Sequence, residues 1–465
     1  MTDLSVDSTA VDQAIAVRSR RISARELLEL HLARIAERNP TLNAIISLDE
    51  ERARAGAAAA DEHLARGGEL GRLHGLPHAF KDTHDVAGWR TTYGSPLFAD
   101  HVPDADDLVV ERVRRAGVVV IGKTNVPEFA AGSHTFNRVF GTTRNPVDPG
   151  RSAGGSSGGA ACALASGMVP LADGSDMGGS LRNPASFCGV VGLRPSWGRV
   201  PTWPTTNHWE TTAVSGPMGR TVADTALLLS VLAGPDPRAP HALGDPGSVF
   251  APPLHGALAG LRVGWTPDLG GLFPVDPEVV AVVEDAGRLM ARSGAHVFAD
   301  HPDLGLADDT FRTLRAWLFQ AGFGQLLAEH PDGLKASLAA NVRAGESLTG
   351  ADVARAYEQR TRLADVAREF FERYDLLVLP TSQVAPFPAD QEHPREVAGQ
   401  PVTDYLAWMM SAYAITVTGC PAVSVPAGHT PAGLPVGVQL VAAHGRDRFL
   451  LEVAASFEAA RTWGG

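Results

Sequence analysis

The chain opens on helical spacing. Ser23-Ala24-Arg25-Glu26 has the form of a capping box, and Leu28, Leu32 and Ile35 follow at i, i+4 and i+7, so a helix is predicted that Pro40 closes. An alanine-rich stretch over 50–64 predicts a second helix, stopped at Gly67-Gly68. From about residue 73 the pattern becomes short apolar runs broken by glycine and proline. Residues 108–115 read as helix, and the β-branched run 118–121 as a buried strand behind it. Residues 157–166 then read as helix and 168–172 as extended chain, leading into a glycine-rich turn.

Residues 201–345 are less regular. Helices at 222–232 and 277–293 stand among loop-rich stretches at 233–256 and 266–276. Strand-like runs return at 374–380, 421–426 and 436–441, and a helix over 448–462 ends the chain. Helix and strand alternate, which predicts an α/β fold with a large mixed central β-sheet covered by helices on both faces. No internal repeat or linker divides the chain. It is expected to be a single domain over 1–465, with a core at about 73–200, a variable substrate-facing region at about 201–345 and C-terminal sheet and helix elements at about 370–465.

Composition narrows the class. A chain that is 44% hydrophobic and 20% charged builds a large core. A net charge of −12 argues against nucleic acid or an anionic membrane as partner, since both reward basic patches. The three cysteines, Cys162, Cys188 and Cys420, have neither the number nor the spacing of a disulfide framework or zinc ribbon. Residues 1–12 are polar and acidic, without the apolar segment of a secretory signal, and no apolar run reaches the roughly 20 residues of a membrane span. A cytoplasmic enzyme is expected, with a homodimer as the default assembly.

Candidate chemistry lies in two glycine-wrapped serines 24 positions apart. Ser156 sits in Gly154-Gly155-Ser156-Ser157-Gly158-Gly159, and Ser180 in Gly178-Gly179-Ser180. Glycine lets backbone amides and a hydroxyl face a reacting molecule together. Upstream, Lys81 stands in the apolar stretch Pro77-His78-Ala79-Phe80-Lys81-Asp82. A lysine of ordinary pKa, about 10.4, is a poor base at neutral pH, but burial pushes it toward neutrality. An amide carbonyl needs a nucleophile, a base and donors for the oxyanion. These residues supply all three without histidine, metal or cofactor, the oxyanion donors being backbone amides of the turn Met177, Gly178, Gly179 and Ser180.

Three segments together resemble the amidase signature: the Ser156 cluster, Asp173-Gly174-Ser175-Asp176-Met177-Gly178-Gly179-Ser180-Leu181-Arg182, and Cys188-Gly189-Val190-Val191-Gly192-Leu193-Arg194-Pro195. That family includes bacterial amidases, fatty acid amide hydrolase, carbamate hydrolases and the A subunit of glutamyl-tRNA amidotransferase. The resemblance implies Ser180 as nucleophile, Ser156 as bridging serine, Lys81 as base and a cis peptide between Gly155 and Ser156. Ser175 stands where threonine is usual and Arg194 where lysine is common, and neither is expected to touch the proton path. Ser157, Asp176 and Arg182 are expected to brace the site, the last two by pairing. Gly132 and Ser133, in a loop that approaches substrate in the family, and Trp203 and Trp209, after the signature, are candidates for the substrate pocket. His78 and His134 flank matched segments without an assigned role.

A flexible linker at the Ser156 cluster is unexpected, because helical pattern resumes at once. Gly117-Val118-Val119-Val120-Ile121-Gly122-Lys123-Thr124 fits the Walker A expression, but its centre reads as buried strand instead of a loop of exposed amides. The 16 histidines, His74, His78 and His84 among them, show no metal-ligand spacing. The expected activity is hydrolysis of small-molecule amides through an acyl-enzyme, extending to anilides, aryl carbamates or esters with hydrophobic groups. One rival is a glutamine-dependent amidotransferase subunit, against which 341–362 carries only Tyr357. Another is a catalytically silent binding protein on the same fold.

Overall fold

Ser23 caps the first long helix as its sequence predicts in the computed structural model, which describes residues 4–463. Its hydroxyl accepts from the Glu26 amide, and Glu26 answers to the Ser23 backbone. Pro40 does not close this helix, which runs Ala24–Leu42 with the proline in its last turn; Asn43, in left-handed conformation, ends it. Residues 1–3 of the N-terminal stretch and the last two of the chain lie outside the described part.

A small sheet comes first, from β1 (Ile45–Ile46), β2 (Pro77–Lys81) and β3 (Val119–Thr124), in the order β1-β3-β2. The β-branched run thus extends three residues past its predicted end, because Gly122, Lys123 and Thr124 pair in parallel with Ala79, Phe80 and Lys81. Lys123 is fully buried there, its ammonium 3.8 Å from Asp82, so the Walker-like text is strand.

The large sheet has eight strands: β4 (Leu171–Asp176), β5 (Val191–Arg194), β6 (Val214–Gly219), β7 (Arg262–Trp265), β8 (His296–Ala299), β9 (Leu376–Pro380), β10 (Ala422–His429) and β11 (Pro435–Val441). Their order is β8-β7-β9-β11-β10-β5-β6-β4. β7 pairs in parallel with β8 and β9, and the remaining neighbours are antiparallel. Strands β5, β6, β9 and β11 are buried at every position, as strands covered on both faces must be. The helices Arg182–Cys188, Pro277–Arg292 and Asp447–Trp463 all pack on β10 and β11. No helix among the described residues is long and apolar enough to cross a membrane.

Two features place the site. β4 is the edge of the large sheet, and the small sheet's β2 packs against it, so Lys81 at the end of β2 arrives beside the turn that follows β4. β4 starts at Leu171, three residues later than the sequence pattern places the extended chain, and so runs directly into that turn. The region after 300 is also more regular than its sequence suggests: three helices, Ala307–Glu329, Ala336–Glu346 and Gly350–Arg373, fill it.

Candidate active site

Lys81 is fully buried at the last position of β2. Its Nζ lies 2.8 Å from Ser156 Oγ, 2.9 Å from Ser157 Oγ and 2.9 Å from Ser175 Oγ. Burial pushes its pKa down to about 7, against the charges of Asp173 and Asp176, which draw it up. A charged Lys81 donates to all three hydroxyls; a neutral one keeps a lone pair for one of them. The contact with Ser175 corrects the expectation that this position stands clear of the proton path. Its Cβ carries a hydroxyl on β4 that faces the lysine directly.

The glycine cluster that holds Ser156 is fastened from the 133–135 loop. Ser133 Oγ donates to the Gly155 carbonyl at 2.7 Å, and Thr135 Oγ1 to that of Gly154 at 2.8 Å. The peptide between Gly155 and Ser156 is cis. A side chain at Gly155 has no room, since its Cβ falls 2.9 Å from the His134 amide. The helix Gly158–Ala165 leaves from Ser157, whose amide donates to the Ser180 carbonyl at 3.1 Å and ties the two serine clusters together.

Ser180 stands in the turn between β4 and the helix Arg182–Cys188. The Asp176 carboxylate organises this turn, accepting from the Gly179 amide at 2.9 Å, the Leu181 amide at 3.1 Å and Arg182 at 2.8 and 3.0 Å. Burial opposes its ionisation, but the Arg182 guanidinium outweighs that and holds the carboxyl far below its usual range. Arg194, the other departure from the family text, also lies on Asp176, at 3.5 Å. Because Gly179's amide is committed to Asp176, it is not free to serve an oxyanion. Those of Met177, Gly178 and Ser180 have no hydrogen-bond partner among the described residues. The Ser180 hydroxyl likewise has none, Ser156 included.

Ser156, Ser175, Met177 and Ser180 open on a cavity of about 600 Å³. Phe129, Leu318, Phe319 and Phe323 give it an apolar end, and Thr205, Thr206, Asn207 and Glu210 a polar wall. Neither Trp203 nor Trp209 belongs to it. Trp203 stacks under the Arg238 guanidinium, and Trp209 is 67% exposed with its ring against His241. Their loop contributes its threonines instead. Ser133 is spent on bracing Gly155, and Gly132 faces Lys335 and Tyr405 outside the cavity. His134 is bonded to Ser152 and the Ala389 carbonyl, away from the serines.

Asp173, the first residue of the second signature segment, places a buried carboxylate behind Lys81. Asp173 Oδ2 accepts from the Lys81 amide at 3.2 Å, and Oδ1 pairs with His78 Nε2 at 2.9 Å. His84 stands 3.4 Å from the same carboxylate. Burial raises the Asp173 carboxyl, but contacts led by the His78 hydrogen bond outweigh it and leave it below its usual value. His78 therefore touches the site through Asp173 and not directly. Sequence reasoning missed the pair because aspartate and histidine on neighbouring strands, 95 positions apart, leave no local signal.

A mixed sheet with a lysine and serines gathered at its edge is the arrangement of an acyl-transfer enzyme. Residues 26–451 match the family described as Amidase, and the chain belongs to that family. Over 458 residues it is 39% identical to an acylamidase of Rhodococcus erythropolis, covering 98% of this chain and 96% of that one. It is 36% identical to the A subunit of a glutamyl-tRNA(Gln) amidotransferase from Synechococcus sp. (strain CC9605), covering 96% and 94%. The crystal structure of a bacterial aryl acylamidase of the amidase signature family superposes with a TM-score of 0.90 at 30% identity, over 98% of this chain and 97% of the other. The protein is an amidohydrolase acting on amides.

Proposed function

We propose that Ser180 is the nucleophile, Ser156 the proton carrier and Lys81 the base. The observation that carries this reading is the buried lysine, brought near neutrality and touching Ser156 on the wall that Ser180 also lines. Ser180 Oγ attacks the amide carbonyl carbon as its proton passes to Ser156 Oγ, and that of Ser156 to Lys81 Nζ. The Ser180–Ser156 contact closes as substrate enters, as hydrogen bonds in unliganded sites commonly do. The oxyanion takes free amides from among those of Met177, Gly178 and Ser180. The relay then reverses to protonate the departing amine, and water, activated the same way, releases the acid and restores Ser180.

The apolar end of the cavity suits aryl or alkyl groups, so anilides, aryl carbamates and esters join linear amides as substrates. The acylamidase likeness supports the same range. A panel of p-nitroanilides, aliphatic amides and aryl carbamates ranks them. Ser180→Ala is expected to lose at least 1,000-fold in kcat while remaining folded, and a fluorophosphonate probe to label Ser180 alone. Turnover near wild type in Ser180→Ala, on any amide the native protein cleaves, sinks the assignment.

The amidotransferase likeness gives a second reading, ammonia release from glutamine for a partner. Tyr357 does not support it: the side chain lines a separate cavity with Arg360 and Val417. Glutaminase activity that rises with an added partner subunit and tRNA is the result that favours it.

A further inference from the structure

Among the described residues, Arg315 is the one buried arginine whose charge is left without an answer. The fully buried Arg182, Arg194 and Arg199 each have an aspartate within 3.5 Å. Arg315 is only 6% exposed, yet no carboxylate among the described residues comes within 4.0 Å of it. Its partners are all neutral. Nη2 donates to Tyr405 Oη at 2.7 Å, Nε to Asn341 Oδ1 at 3.3 Å and Nη1 to Met177 Sδ at 3.1 Å, and the guanidinium lies 4.0 Å over the Phe319 ring. A thioether is a weak acceptor, and two of the five N–H groups have no partner. Burying a cation without a counter-charge is costly.

Its position gives the cost a use. The side chain rises from the helix Ala307–Glu329 onto the wall of the Ser180 cavity and touches Met177, three residues before Ser180. The two carboxylates on that wall are engaged elsewhere, Asp176 with Arg182 and Arg194, and Glu210 with the Thr212 and Ala213 amides of its own loop. The neighbouring cation Lys335 is matched by Glu392 at 3.1 Å. Arg315 is thus the cavity's unspent positive charge.

We propose that Arg315 receives a free carboxylate of the substrate, so that the preferred amides are half-amides of dicarboxylic acids or N-acyl derivatives of an amino acid. A planar fork with spare donors suits a carboxylate, and a dry wall strengthens the contact. This rests on the reading of the Ser180 cavity as the substrate site.

The test compares glutaryl p-nitroanilide with valeryl p-nitroanilide, which differ by a carboxylate in place of a methyl group on the acyl side. A second pair, 4-(valerylamino)benzoate and N-(4-methylphenyl)valeramide, places the carboxylate on the amine side. In the wild type at least one acid is expected to exceed its neutral partner by about tenfold or more in kcat/KM. Arg315→Met should cost the acid about tenfold more in kcat/KM than its neutral partner, the difference falling on KM, and Arg315→Lys should restore part of it. Equal loss on both members of each pair, or no loss on either, overturns the proposal. Should Arg315→Met not fold, competitive inhibition of the wild type by an aryl carboxylate against its aryl alcohol decides, and equal inhibition overturns it. If no neutral or acidic amide is cleaved at all, the Ser180 reading fails first.

Discussion

At the scale of single residues, the proposed chemistry depends on how Lys81 is kept available as a base. Burial alone pushes it down, and Asp173 and Asp176 stop it falling further, leaving it at about 7. Activity is therefore expected to rise with pH as Lys81 loses its proton, with the acid limb of kcat/KM near neutrality. Asp173→Asn keeps an acceptor for the Lys81 amide but removes a negative charge that favours the ammonium. The limb is expected to move to lower pH, with the plateau rate reduced less than tenfold. A pH–rate profile checks it, and an unmoved limb means that Asp173 only holds the strand in place.

At the scale of elements, the sequence made plain the segments whose constraints are local. The capping box at Ser23, the helix Leu108–Arg115 and the glycine turns each declare themselves within a few residues. The three helices after Ala307 did not. Ala307–Glu329 carries Gly322 and Gly324 and buries polar Thr310, Thr313 and Arg315 beside Phe311, which blurs its period. Gly350–Arg373 is mostly solvated, burying only Ala356, Leu363, Ala367 and Phe370. Arg315 was hidden for the same reason: its meaning lies in contacts with Met177 and Tyr405, 138 and 90 positions away. The turn after β4 shows what local legibility buys in return. Gly179 has φ +106°, and a Cβ there falls 2.6 Å from Ala412 Cβ and 2.7 Å from Asn183 Nδ2. Gly179→Ala is expected to displace the turn and lower kcat on the order of 100-fold or more. Gly244→Ala, with nothing within 4 Å, is the control and should match wild type in both kcat and Tm.

At the scale of the whole molecule, the sheet is drawn from 171–219, 262–299 and 376–441, and we propose that it unfolds with the small sheet as one domain. That makes Lys81 a burden on the stability of the entire chain. Its pKa falls from 10.5 to about 7 on folding. Below 7 both states hold the proton and the cost is constant. Between 7 and 10.5 the unfolded chain binds a proton that the folded one does not, so stability rises with pH by about 1.4 kcal/mol per unit. Above 10.5 the difference is gone. Lys81→Met deletes this titration, and on the proposed mechanism the activity with it. The three serine hydroxyls it leaves unpartnered cost about 1 kcal/mol each, but that cost does not vary over this range of pH. The unfolding free energy of wild type relative to Lys81→Met should therefore climb by about 2 kcal/mol between pH 7, where the folded lysine is half protonated, and pH 9. Urea unfolding of both proteins at the two pH values measures it. Parallel pH dependence would mean that Lys81 stays charged in the fold, and a charged lysine cannot take the serine's proton.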